Sequence, residues 1–106
     1  MKIILCCSAG MSTSMLCKKI LAAAKDKGRE DVICDAYSSE SIDEHAKDAS
    51  VILLGPQIRV QFKEIAEKYA PIPVAVIDMR AYGLMDGKKV FESALKLMDE
   101  AGTNKN

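Results

Sequence analysis

Apolar positions fall along the chain in two alternating rhythms. Ile3-Ile4-Leu5-Cys6 and Val51-Ile52-Leu53-Leu54 are continuous apolar runs that end abruptly in small or turn-forming residues. Short runs of this kind predict central strands of a parallel sheet, covered on both faces. Val32 to Tyr37 alternates more weakly, which suits an edge strand, and Pro73 to Ile77 predicts a fourth strand closed by Asp78. Between them the period lengthens. Leu16, Ile20, Ala23 and Ala24 recur at helical spacing with Lys18, Lys19 and Lys25 largely opposite, and Gly28 ends that helix. Ser41 to Asp48 supports only a short helix, with Ile42 and Ala46 as its apolar contribution. Ile58, Phe62, Ile65, Ala66 and Tyr69 mark a third helix stopped by Pro71. After Tyr82-Gly83 and Asp86-Gly87, the positions Val90, Ala94, Leu97, Met98 and Ala101 mark the last one. Strands that alternate with helices predict an α/β fold, a single domain over 1–106 with a parallel sheet, and a frayed tail over 102–106.

Composition narrows the function classes. Lysine plus arginine balances aspartate plus glutamate at 15 each, so no charge excess draws the chain to nucleic acid or an anionic membrane. No apolar run approaches about 18 residues, and the apolar stretch after Met1 is too short for a signal peptide, so a cytoplasmic chain is expected. Cys6 and Cys7 are adjacent, Cys17 and Cys34 have no metal-type partners nearby in sequence, and His45 is the lone histidine. Reduced thiols, no zinc and no metal site are therefore expected.

Ligands of parallel sheets bind beyond the carboxyl ends of the strands. The post-strand segments here are Cys7 to Thr13, Ser38 to Ser41, Gly55 to Gln57 and Asp78 to Gly83, and they are expected to form one rim around the first. That first segment, Cys7-Ser8-Ala9-Gly10-Met11-Ser12-Thr13, joins a strand to a helix through small and polar residues. Backbone N–H groups of such a turn converge on an anion. A cysteine at a helix N-terminus can have its pKa lowered from about 8.5 to roughly 3.5–7.5, which makes it a nucleophile at neutral pH. Cys7 is thus the candidate catalytic residue, and Ser8, Ala9, Gly10, Met11, Ser12 and Thr13 the candidate phosphate-binding residues. Cys6, still inside the strand, reads as structural. His45, among Asp43, Glu44 and Asp48, reads as a solvated surface histidine rather than a competing acceptor. Gly55-Pro56 is as well explained by a strand-ending turn as by function. Tyr82 and Asp78 either line the rim or, for Asp78, cap the next turn. Met11, Met79 and Met85 supply adaptable contact surface or fill space near the loops.

The first segment resembles the phosphate loop of low-molecular-weight tyrosine phosphatases, whose motif is Cys-x-x-x-x-x-Arg. Thr13 stands where that motif has arginine. Without a guanidinium the bidentate clamp that assists thiophosphate hydrolysis is missing, which favours a phosphocysteine that waits for an acceptor. Loss of that clamp weighs against a small phosphatase or an arsenate-reductase-like enzyme, and a non-catalytic anion-binding module is the third class.

Together with Leu53-Leu54-Gly55-Pro56-Gln57-Ile58, Val76-Ile77-Asp78, Tyr82-Gly83 and Asp86-Gly87, the Cys7 to Ser14 segment is similar to the IIB component of the lactose/cellobiose class of bacterial sugar phosphotransferase systems. The resemblance spans essentially the full length. It implies a four-stranded parallel sheet of order 2-1-3-4 with flanking helices, as in the low-molecular-weight tyrosine phosphatase fold. It also implies that Cys7 accepts phosphate from a phosphohistidine of the IIA protein and delivers it to a sugar held by the membrane transporter IIC. No cofactor is required, and a monomer is expected for the isolated chain. Exposed rim residues such as Met11, Ser12, Gln57 and Tyr82 are where IIA docking is expected.

Overall fold

The computed structural model describes residues 1–7, 10–38 and 41–101, with residues 10–13 and 101 as backbone only. Four strands, β1 (Lys2–Cys7), β2 (Ile33–Ser38), β3 (Val51–Leu54) and β4 (Val74–Val76), form one parallel sheet in the order β2-β1-β3-β4. The expected 2-1-3-4 order is therefore the one present. The helices are α1 (Gly10–Asp26), α2 (Phe62–Lys68), α3 (Met79–Gly83) and α4 (Gly87–Ala101).

Period-two alternation explains why both central strands are apolar throughout. Ile3, Leu5, Val51 and Leu53 enter one core with Leu16 and Ile20 of α1 and Phe91, Ala94 and Met98 of α4. Ile4, Cys6, Ile52 and Leu54 enter the other with Ile42, Ala46, Ile58 and Ile65. Each face of the sheet thus has its own hydrophobic cover, as buried parallel strands require. The edge strand β2 shows the opposite pattern, since Ile33 is exposed while Cys34 is buried.

Three local expectations are corrected. The short helix proposed over Ser41 to Asp48 is two single 3₁₀ turns, Ile42–Glu44 and Ala46–Asp48, which still bury Ile42 and Ala46. The helix read from Ile58 begins only at Phe62, because Pro56–Gln61 is wound as 3₁₀ turns with a break at Ile58. That change of winding shifts the phase of the apolar stripe. Ile58 and Ile65 stay buried, but Phe62 is turned partly outward and Val60 is 86% exposed. Finally, Asp78 to Gly83 is not a simple loop. Asp78 accepts a hydrogen bond from the Ala81 amide at 3.1 Å and so caps the short helix α3.

Candidate active site

The site is built where β1 stops. Cys7 is the last residue of the strand and Gly10 the first of α1, a helix of 17 residues with no acidic side chain in its first turn. Of the residues read as phosphate-binding, Gly10, Met11, Ser12 and Thr13 form that first turn, while Ser8 and Ala9 lie outside the described residues. The first four amides of a helix have no intrahelical partner, and the helix dipole adds a partial positive charge there. The amino end of α1 thus begins three positions after the Cys7 thiol in the chain.

β1 is paired on both sides, with β2 and β3, from Ile3 to Cys6, and Cys7 at its carboxyl end is paired with β2. In register, Cys7 lies opposite Ser38 and Cys6 opposite Leu54. Past the end of β3 the Gly55 amide continues the ladder by donating to the Cys6 carbonyl at 2.8 Å. Gly55 then passes so close that a β-carbon added there would lie 3.2 Å from Cys7 Cβ and 2.6 Å from Gln57 Oε1. On the other side Ser38 and Ser41 share a hydroxyl hydrogen bond at 3.1 Å.

The adjacent thiols have different surroundings. Cys6 is fully buried in the second core, and burial, reinforced by the neighbouring Cys7, pushes its thiol up to about 11. Such a group stays protonated at neutral pH and is a poor nucleophile. Cys7 is 1% exposed, and strand alternation places its side chain on the opposite face, that of Ile3 and Leu5. Cys6 is thus a core thiol of the face opposite to that of Cys7.

The segments after β3 and β4 come together as expected of a rim. Pro56, Gln57, Arg59, Val60, Met79 and Tyr82 line a groove of about 490 Å³. Met79 is largely exposed, so it supplies surface rather than filling space, whereas Met85 is half-buried against the α1–α4 core. His45 departs from expectation. Its ring stacks on Tyr37 at 3.8 Å and 6°, half-buried between the two 3₁₀ turns, instead of being fully solvated. Among the described residues no three His, Cys, Asp or Glu side chains gather as metal ligands.

Sequence reasoning left the role of Gly55 open. Its contact is with Cys7, across β1 and β3, and neither turn composition nor spacing reports such an approach. The α3 cap was signalled only by Asp78, and the outward turn of Phe62 followed from a 3₁₀ winding that periodicity does not reveal.

A parallel sheet covered on both faces, with a cysteine at the carboxyl end of an inner strand and a long helix starting three positions later, puts a thiol at the edge of the sheet where α/β folds bind ligands. The chain matches the family model of the PTS system, Lactose/Cellobiose specific IIB subunit, over residues 2–93. It is 43% identical over 100 residues to the oligo-beta-mannoside-specific EIIB component of Bacillus subtilis, covering 92% of this chain and 95% of that one. It is 41% identical over 104 residues to the cellobiose-specific EIIB component of Lactococcus lactis, with the same coverage. The solution structure of the cellobiose-specific IIB component from Borrelia burgdorferi superposes with a TM-score of 0.78 at 36% identity, covering 95% and 94% of the two chains. A lactose-specific IIB domain from Streptococcus pneumoniae has the same fold, with a TM-score of 0.78 at 19% identity over 92% and 96%. The chain belongs to the lactose/cellobiose-specific IIB family of the phosphotransferase system, whose members are phosphotransferases that accept phosphate and transfer it to a sugar.

Proposed function

We propose that Cys7 is the phosphate carrier, loaded by the phosphohistidine of a IIA protein and discharged to a sugar bound in the membrane transporter IIC. The observation that carries this reading is the position of Cys7 at the end of β1, three positions before the amino end of α1. In loading, the Cys7 sulfur attacks the phosphorus, an S–P bond forms, the N–P bond breaks, and the thiol proton leaves for the departing imidazole. Equatorial phosphoryl oxygens in the transition state carry charge that the amides of the α1 first turn are placed to receive. Ser8, Ala9, Gly10, Met11, Ser12 and Thr13 make up the cradle. In discharge a sugar hydroxyl attacks phosphorus, and Cys7 recovers its thiol.

The acceptor sugar is a β-linked disaccharide of the cellobiose, chitobiose or lactose type, a reading supported by the cellobiose-specific relatives. The working form is a cytoplasmic monomer that meets IIA and IIC in turn. No helix among the described residues is long and apolar enough to cross a membrane, so transport itself requires IIC.

Incubation with phosphorylated IIA tests the assignment. Wild-type protein, Cys6→Ser and His45→Ala are expected to take up label, and Cys7→Ser to take up none. Persistent labelling of Cys7→Ser would end the reading. Measurable turnover of an aryl phosphate, lost with Cys7, would instead favour a phosphatase.

A further inference from the structure

Two cysteines take no part in that chemistry. Cys17 belongs to α1 and Cys34 to β2, 17 positions apart, and the fold brings their sulfurs together. Cys34 Sγ donates to Cys17 Sγ at 3.2 Å, with both side chains 6% exposed. A bonded sulfur pair stands at about 2.05 Å, so a small side-chain adjustment separates contact from bond. The pair is not sealed off. A surface groove of about 290 Å³ opens beside it, lined by Ser14, Lys18, Leu21 and Asp35 together with the two cysteines. Its place in the fold gives a bond there a mechanical effect. β2 is an edge strand, paired only with β1, whereas α1 carries the first turn of the candidate site.

We propose that Cys17 and Cys34 form a reversible dithiol–disulfide pair, oxidised by a hydroperoxide, that staples the edge strand β2 to α1. In the first step one sulfur, as thiolate, attacks the hydroperoxide; the O–O bond breaks, an alcohol or water leaves, and a sulfenic acid forms. The second thiol then attacks the sulfenic sulfur, an S–S bond forms, and water departs with the remaining thiol proton. Two thiols and one hydroperoxide give one disulfide, one alcohol or water, and one further water, with one electron lost per sulfur. A dithiol reductant reverses the reaction by exchange. The hydrogen bond to Cys17 and burial push the Cys34 thiol up.

Trypsin provides the readout. No lysine or arginine lies between Ile3 and Lys18, so Cys6, Cys7 and Cys17 share the peptide 3–18, while Cys34 lies in the peptide 30–47. The assignment is made in the full-length Cys6→Ala/Cys7→Ala variant, treated with hydrogen peroxide under native conditions, blocked with N-ethylmaleimide and digested without reductant. Expected is a joined 3–18/30–47 species lighter by two hydrogens than the two peptides together. It is reversed by dithiothreitol and accompanied by a higher thermal midpoint of the oxidised protein. In wild-type protein, fragmentation of the joined peptide resolves Cys17 from Cys6 and Cys7, so the result does not depend on the fold of the variant. Two thiols that stay blockable in the folded protein, a link formed only in denaturant, or a joined peptide bridged through Cys6 or Cys7 overturns the proposal.

Discussion

Gly55→Ala separates close approach from simple turn formation. Gly55 has φ −62° and ψ 149°, a backbone that alanine adopts freely, so the substitution tests space and not conformation. The new methyl meets Gln57 Oε1 at 2.6 Å and Cys7 Cβ at 3.2 Å. The Gln57 end is flexible and turns away at little cost. The Cys7 β-carbon is not so free, because Cys7 is paired with Ser38 and the residue before it is paired on both sides. Carbon atoms pack best at about 3.5–4.0 Å, so Cys7 or the Gly55 backbone must give by about 0.3–0.5 Å. Overpacking on this scale costs about 1 kcal/mol, the low end for an added methylene, and leaves the protein folded. Misplacement of a reacting group by about 1 Å can cost about 100-fold in rate, so a few tenths of an ångström slows phosphoryl uptake by roughly three- to tenfold. The assay is the initial rate of labelling by phosphorylated IIA, read beside the thermal midpoint. Gln57→Ala removes the other contact and serves as the control. Wild-type uptake by Gly55→Ala, or equal slowing by Gln57→Ala alone, refutes the view that Gly55 positions the thiol.

A β-carbon at Gly87 would lie 2.3 Å from the carbonyl carbon of Lys19, so Gly87→Ala forces α4 away from α1 and is expected to cost about 3 kcal/mol or more in a denaturant titration. Wild-type stability would show that this helix contact is loose. The Cys6 thiol rises from 9.0 to about 11 on folding, so its contribution to stability is intact below pH 9 and is lost as pH climbs through 11, where the unfolded chain ionises first. The full difference is roughly 2–3 kcal/mol at about 1.4 kcal/mol per pH unit, and Cys6→Ala should fall less steeply across that window; equal slopes would contradict it. Thr13→Arg restores the residue type that phosphatases place there and is expected to shorten the lifetime of phosphorylated Cys7 in water, by about tenfold if the guanidinium reaches the phosphoryl oxygens. An unchanged or longer lifetime would remove the argument from the missing arginine.

The two central strands were legible because burial on both faces leaves an uninterrupted apolar run, and Ile3 to Cys6 and Val51 to Leu54 carry one each. Cys7 was legible because small residues separate its strand from a periodic helix. The exposure of Phe62 was not, since a periodic reading assumes one winding and the 3₁₀ turns over Pro56–Gln61 change it. Nor could spacing foretell the stacking of His45 on Tyr37, which joins β2 to the turns beyond it. Likewise Cys17 and Cys34 look unrelated along the chain and touch only because α1 lies across β2.

The position of β1 between β2 and β3 has a consequence for motion. Amides bonded on both sides of a central strand exchange with solvent only when the whole domain opens, whereas surface segments open by themselves. The strand that ends in the thiol is paired on both sides from Ile3 to Cys6, and the exposed Val60 and Met79 lie outside that ladder. Substitutions among the exposed groove residues are therefore expected to come at little cost to the persistence of the ladder that ends at Cys7.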